Sequence, residues 1–189
     1  FSYAFPTDKE IPIVLDIATS VAAEGKLRVK LSKGEQIPEG WIIDKDGNPS
    51  RNPADYYKGG ALLPLGGDDH GHKGFGLGLV AEVLAGILSR AGCAYETNKR
   101  GNGVFFAAID IQSFLPVDEF KREMDNLIRA MKSSRLRSGF NEILIPGEPE
   151  FRTEQIRLKE GIYVPEKTWE EITILAKQLN LDVDKITVD

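Results

Sequence analysis

The chain carries one cysteine, Cys93, with two histidines, two methionines and two tryptophans among its 189 residues. One cysteine excludes an internal disulfide, and with it the stapled class of small secreted domains, so a reducing, cytoplasmic setting is expected and Cys93 reads as a packed small residue. Positive charge is in deficit, with 24 Lys and Arg against 29 Asp and Glu and a formal charge of -5. That balance argues against a general nucleic-acid binder, which needs clustered basic residues, while leaving a small anion open as a ligand. No run is expected to span a membrane, so no membrane partner is expected either. Internal repeats, low-complexity tracts and Gly/Ser linkers are also missing. The opening FSYAFP has no Met, basic n-region or signal h-region, and reads as the interior of a longer polypeptide or a processed product.

What is there is a globular composition, 41% hydrophobic and 28% charged, long enough for a sizeable core. Residues 11–16 (IPIVLD) form an apolar run that predicts a buried strand ending in a carboxylate. Residues 25–31 alternate charged and apolar side chains, as in a half-exposed strand or a short amphipathic piece. Residues 32–60, rich in Gly, Pro, Asn and Asp, predict a long surface excursion pinned by Trp41, Tyr56 and Tyr57. Residues 101–114 read as a hairpin arm or sheet strand, 118–132 as an amphipathic helix, and 142–145 as a strand before the turn PGEPE. A last helix carries Trp169, Ile172, Leu175, Ala176 and Leu179 on one stripe, with Thr168 and Glu171 as a capping box. The class is α/β or α+β, with residues 1–150 as one unit and 151–189 as a helical C-terminal arm.

Residues 62–88 read LLPLGGDDHGHKGFGLGLVAEVLAGIL and hold both histidines, His70 and His72. Gly66, Gly67, Gly71 and Gly74 ahead of an apolar periodic pattern predict a glycine loop entering a helix, whose free amides face the loop. With Lys73 at the junction, the segment suits an anion such as a cofactor phosphate. Apolar residues then fall on nearly every face, predicting an almost wholly buried helix in which Glu82 needs a partner or a wet cleft.

Most catalytic schemes fail on this inventory. Asp68, Asp69, His70 and His72 are too close in sequence to surround a zinc ion tetrahedrally, and DKDGN at 44–48 lacks the downstream glutamate of a calcium loop, so no metal site is expected. There is no G-x-S-x-G elbow, no Walker A loop, and no G-x-G-x-x-G between a strand and a helix.

Four ordered segments nevertheless resemble one family. VLDIATSVAAEGKL at 14–27, IPEGWIIDKDGNPSRNP at 37–53, GGALLPLGG with HKGFGLGLVAEVLAG across 59–86, and ILIPGEPE at 143–150 are similar to the signatures of type 2 malate/L-lactate dehydrogenases. The resemblance covers essentially the whole chain. It implies a mixed, largely antiparallel sheet flanked by helices, a non-Rossmann nucleotide-binding fold and a homodimer. The implied activity is an NAD- or NADP-dependent oxidoreductase interconverting 2-hydroxy and 2-keto acids. It carries cofactor contacts onto Asp16, Ile17, Ala18, Thr19 and Ser20, onto His72 and Lys73, and onto Gly147, Glu148 and Pro149. Hydroxyls after a buried strand, an imidazole, a lysine and a turn glycine agree in kind with that role. The family's catalytic histidine and substrate arginine belong to an amino-terminal region with no counterpart here, and neither His70 nor His72 matches that position. The catalytic residues are therefore expected in a missing segment whose helical domain would pack with the 151–189 arm. The isolated chain is expected to be inactive; the alternative is a nucleotide-binding module without chemistry.

Overall fold

The computed structural model describes residues 1–95 and 101–181, and the chain divides into two units, Phe1–Gly147 and Glu148–Asp189. The first unit opens with an antiparallel pair, β1 (Ser2–Phe5) and β2 (Ile13–Asp16), in register Ser2↔Asp16 and Phe5↔Ile13. Ile13 and Leu15 are half-buried and Val14 and Asp16 exposed, because a two-stranded ribbon covers only one face.

Residues 25–31 are helical, not a strand: α1 spans Glu24–Ser32 and buries Leu27 alone. Leu, Lys and Arg are good helix formers, and helical spacing brings Glu24 and Arg28 together at 2.9 Å. The segment expected as a surface excursion contributes core. Ala22, Leu27, Ile37 and Ile42 form a buried cluster, with Trp41, Tyr56 and Leu62 packed on it. Tyr57 is exposed, and its hydroxyl donates to Glu24 Oε1 at 2.6 Å. Three short strands, β3 (Ile42–Ile43), β4 (Pro49–Ser50) and β5 (Ala61–Leu62), pair antiparallel in the order β4-β3-β5. DKDGN is the tight turn joining β3 to β4: Asp44 Oδ1 accepts from the amides of Asp46 and Asn48, and Gly47 has φ +86°.

The next element overturns three expectations. Helix α2 spans Gly67–Ala81 and runs on as a π-helical segment, Glu82–Leu88, so it begins ahead of both histidines. Its large apolar residues face outward, with Ile87 58% and Leu88 62% exposed, while Gly71, Gly74 and Gly86 are its buried positions. The small residues pack and the large ones do not, because the glycines admit backbone closely on one side only. The 22-residue helix is also long and apolar enough to cross a membrane, by length and composition alone, contrary to the reading of the sequence.

Two expected strands are not strands among the described residues. Residues 102–110 and 141–145 join no ladder among the described residues, although Ile145 is buried. Helix α3 (Val117–Lys132) follows the expected boundaries, yet of its apolar stripe Ile128 is buried while Leu127 and Met131 are exposed.

Helix α3 also buries a carboxylate that the sequence reading passed over. Asp125 Oδ1 accepts from the amides of Asp8 (3.1 Å) and Glu10 (3.4 Å), and Oδ2 from that of Lys9 (3.0 Å), which fixes the turn between β1 and β2. Burial pushes this carboxyl up. The three amides and Arg129 outweigh it and hold the group below the ordinary aspartate range.

The second unit, described by itself, consists of α4 (Glu148–Glu160) and α5 (Glu166–Gln178). Pro165 is the N-cap of α5, so Thr168 lies inside the helix and caps nothing, and the glutamate and second proline of PGEPE open α4 instead of a turn. The expected arm extends into residues 182–189, which lie outside the described residues.

Asp125→Asn is expected to lower the melting temperature at pH 7 and to flatten the acid limb of stability. With the folded pKa depressed, the native contribution is full above the unfolded value of about 3.9 and is lost as pH falls through the lower folded value. Thermal melts from pH 7 to pH 3 measure this, and superimposable curves for the two proteins would contradict it.

Candidate cofactor-binding site

Backbone geometry brings the first two sequence motifs together through one residue. Leu65 donates its amide to Thr19 O at 2.8 Å and accepts from the Gly74 amide at 3.0 Å, so it is bonded to the segment after β2 and to α2 at once. Val21 N to Leu63 O at 2.9 Å and the Ser20↔Pro64 bridge extend the same seam.

The glycines make that seam possible. A Cβ on Gly74 would lie 2.3 Å from Leu65 N, one on Gly71 2.9 Å from Pro64 Cγ, and one on Gly66 2.4 Å from His70 O. These close approaches are internal, not reserved for a ligand as the sequence suggested. Gly66, at φ +104°, turns the chain into the helix. The third motif touches the same strand: Val14 N donates to Pro146 O at 3.0 Å, and a Cβ on Gly147 (φ +93°) would sit 3.1 Å from that of Val14.

Around the seam, the candidates differ in what they offer. Asp16 and Ala18 are exposed at the strand end, and Ile17 is half-buried with its amide donating to Phe1 O. Thr19 is half-buried, its hydroxyl toward Gly78 of α2, whereas the Ser20 hydroxyl donates to Ala22 O. His72 and Lys73 are exposed in the second turn of α2. Asp68 and Asp69 occupy the first turn, where they complement the helix dipole and repel an anion from the free amides. The helix start is therefore a poor place for an anion, and Lys73 on the flank of α2 is the remaining cation of that segment. In the second unit, Glu148 is buried and accepts from Arg152 Nη2 at 2.6 Å, and Pro149 is exposed beside it.

The donor set fits a dinucleotide: a carboxylate for ribose hydroxyls, a threonine hydroxyl, and a lysine with an imidazole for phosphate. Among the described residues no three His, Cys, Asp or Glu side chains converge as metal ligands; His70 and His72 stand edge to face at 6.4 Å. Glu82 finds both a partner and a cleft. Its Oε2 accepts from the Ala94 amide at 3.3 Å, and it lines a cavity of about 390 Å³ with Gly86, Cys93 and Gly103. Sequence reasoning missed Leu65, which acts through its backbone, and Arg152, for which the Glu-to-Arg spacing of four was the available signal.

Relatives of this sequence include malate, sulfolactate and lactate dehydrogenases and, at 31–32% identity, Δ1-pyrroline-2-carboxylate reductases by name. The malate dehydrogenase of Pyrococcus horikoshii is 43% identical over 187 residues, covering 95% of this chain and 52% of its own length. The malate/(S)-sulfolactate dehydrogenase of Methanothermus fervidus is 34% identical, covering 92% and 50%. The crystal structure of malate dehydrogenase from Entamoeba histolytica superposes with a TM-score of 0.87 at 29% identity, covering 96% of this chain and 55% of that one. A profile of the malate/L-lactate dehydrogenase family matches residues 1–173, and the chain belongs to that family. It spans about half the length of the curated relatives it matches.

Two α2 glycines separate packing from propensity. Gly74→Ala is expected to destabilise by roughly 1–3 kcal/mol, because its methyl group meets Leu65 backbone. Gly76→Ala, with nothing within 4 Å, is expected to stabilise by roughly 0.5–1 kcal/mol. Urea unfolding of both variants measures this, and equal midpoints would refute the seam as a packing constraint.

Proposed function

We propose that this chain carries much of the cofactor pocket of an NAD- or NADP-dependent oxidoreductase that interconverts a 2-hydroxy acid and its 2-keto acid. The fold is a nucleotide-binding one other than the Rossmann type. The observation that carries this reading is the seam at Leu65, which places the Asp16–Ser20 segment beside the helix of His72 and Lys73, within a chain that matches the family over residues 1–173.

Each contact then has a job. Asp16 accepts from a ribose hydroxyl, the backbone at Ile17 and Ala18 lines the nucleotide, and Thr19 and Ser20 offer hydroxyl oxygens. Lys73 places its charge against the pyrophosphate, with His72 beside it. Gly147, Glu148 and Pro149 are the third group of contacts, and Arg152 positions Glu148.

Bound, the nicotinamide supplies the hydride that reduces the keto carbon, and the carbonyl oxygen takes a proton from an acid. On the family resemblance that acid is a histidine outside residues 1–189, as is the arginine that holds the substrate carboxylate; His70 and His72, both on α2, do not match its position. The complete enzyme is a cytoplasmic homodimer on this reading, as the family resemblance implies.

The 189-residue chain is expected to bind NADH or NADPH, read as quenching of Trp fluorescence, with no turnover of malate or lactate. Lys73→Ala should weaken binding about tenfold, the loss of one charge-assisted contact. Turnover by this chain alone would overturn the division of labour, and unchanged affinity in Lys73→Ala would remove Lys73 from the site.

A further inference from the structure

Away from the cofactor motifs, the sequence places a carboxylate or amide side chain directly ahead of a glycine at Asp46–Gly47 and at Asn102–Gly103. Glycine has no side chain to shield its nitrogen, so that nitrogen can reach the preceding side-chain carbonyl carbon and close a five-membered ring. The fold treats the two dipeptides differently. Gly47 N donates to Asp44 O at 3.1 Å inside the β3–β4 turn, and both Asp46 carboxylate oxygens accept from Lys45 Nζ at 2.9 Å. Asn102 is exposed and outside any helix or strand, and among the described residues neither its side-chain amide nor the Gly103 N–H makes a hydrogen bond. Gly101, at φ +132° with nothing within 4 Å of its Cβ position, leaves the approach open. Other asparagines lack one requirement or the other. Asn48 and Asn52 precede prolines, which have no N–H. The Leu181 amide after Asn180 is bonded to Ala176 O at 2.8 Å, and Asn126 lies within α3 with its side chain on Glu123 Oε1.

We propose that Asn102–Gly103 is a site of spontaneous covalent modification, and that its product loosens the contact of this segment with the π-helical end of α2. Base removes the Gly103 amide proton, and the nitrogen attacks Asn102 Cγ. The N–Cγ bond forms, the Cγ–Nδ2 bond breaks, and ammonia leaves behind a succinimide. Water then opens the ring at either carbonyl, giving aspartate or, where the main-chain bond is cut, isoaspartate. One water enters for each ammonia lost, and nothing is oxidised or reduced. Asparagine is among the thermolabile residues for this reason. Either product sets a new carboxylate in the cavity that Asn102 lines with Glu82, where like charges repel. Isoaspartate also adds a methylene to the main chain immediately ahead of Gly103. There is no slack at that point, since even a Cβ on Gly103 would collide with Ala85 O and Ser89 Oγ. Longer main chain and added charge therefore act together to lift residue 103 from the helix.

The test ages the 189-residue chain in mildly alkaline buffer, folded and guanidinium-unfolded in parallel, and follows both dipeptides by peptide mapping with mass spectrometry. In the folded chain Asn102 is expected to convert to aspartate and isoaspartate as fast as in the unfolded one. Isomerisation at Asp46 is expected to run about tenfold slower folded than unfolded, the rate equivalent of breaking one backbone hydrogen bond before the nitrogen can attack. Slowing of Asn102 on folding to the same extent would overturn the proposal, and so would equal Asp46 rates in the two states. Asn102→Gln, whose longer side chain cannot close the same ring, is expected to keep its melting temperature on ageing while that of the original chain falls. Loss of melting temperature to the same degree in both would place the damage elsewhere, and no loss in either would refute the loosening.

Discussion

Leu65 bonds with both its backbone groups across two elements, and the meeting of the first two motifs of the candidate site depends on that pair of bonds. Its amide holds the segment that follows β2, and its carbonyl holds α2. Neither bond could form at these distances with a side chain on Gly74, whose Cβ position lies within 2.5 Å of both Leu65 backbone atoms. Glycine here is a requirement of contact between chain segments. The conformational cost of glycine inside a helix, about 1 kcal/mol relative to alanine, is offset by a seam that holds the Thr19 segment against α2.

The same arrangement explains why α2 looks inside out. An amphipathic helix ordinarily turns its large side chains inward, but a helix whose inward face is glycine reserves its large residues for something else. Asp125 plays a complementary part by fixing the turn that precedes β2, so the strand end reaches the seam in a fixed register.

The sequence was informative where local chemistry decides the outcome and misleading where distant packing does. The 44–48 turn, the extent of α3 and the strand at 13–16 follow from Asx chemistry, helical period and a β-branched run. Residues 25–31 have a period of two that is real but unused, since α1 needs only Leu27 buried. The expected strands at 101–114 and 142–145 have strand-like composition without ladders among the described residues, because pairing requires a neighbour that composition does not specify. For the candidate site, the family motifs named the residues, while their surroundings, from the internal glycine seam to the acidic first turn of α2, required coordinates.

The central claim is that the segment after β2 and the second turn of α2 form one cofactor surface. Its most direct test is an exchange footprint of the 189-residue chain with saturating NADH or NADPH. Slowed exchange at Ile17–Ser20 and at Gly71–Gly74 together, with the same concentration dependence, is the predicted result. Protection of only one of the two segments, or of neither while the nucleotide binds elsewhere, would contradict the account.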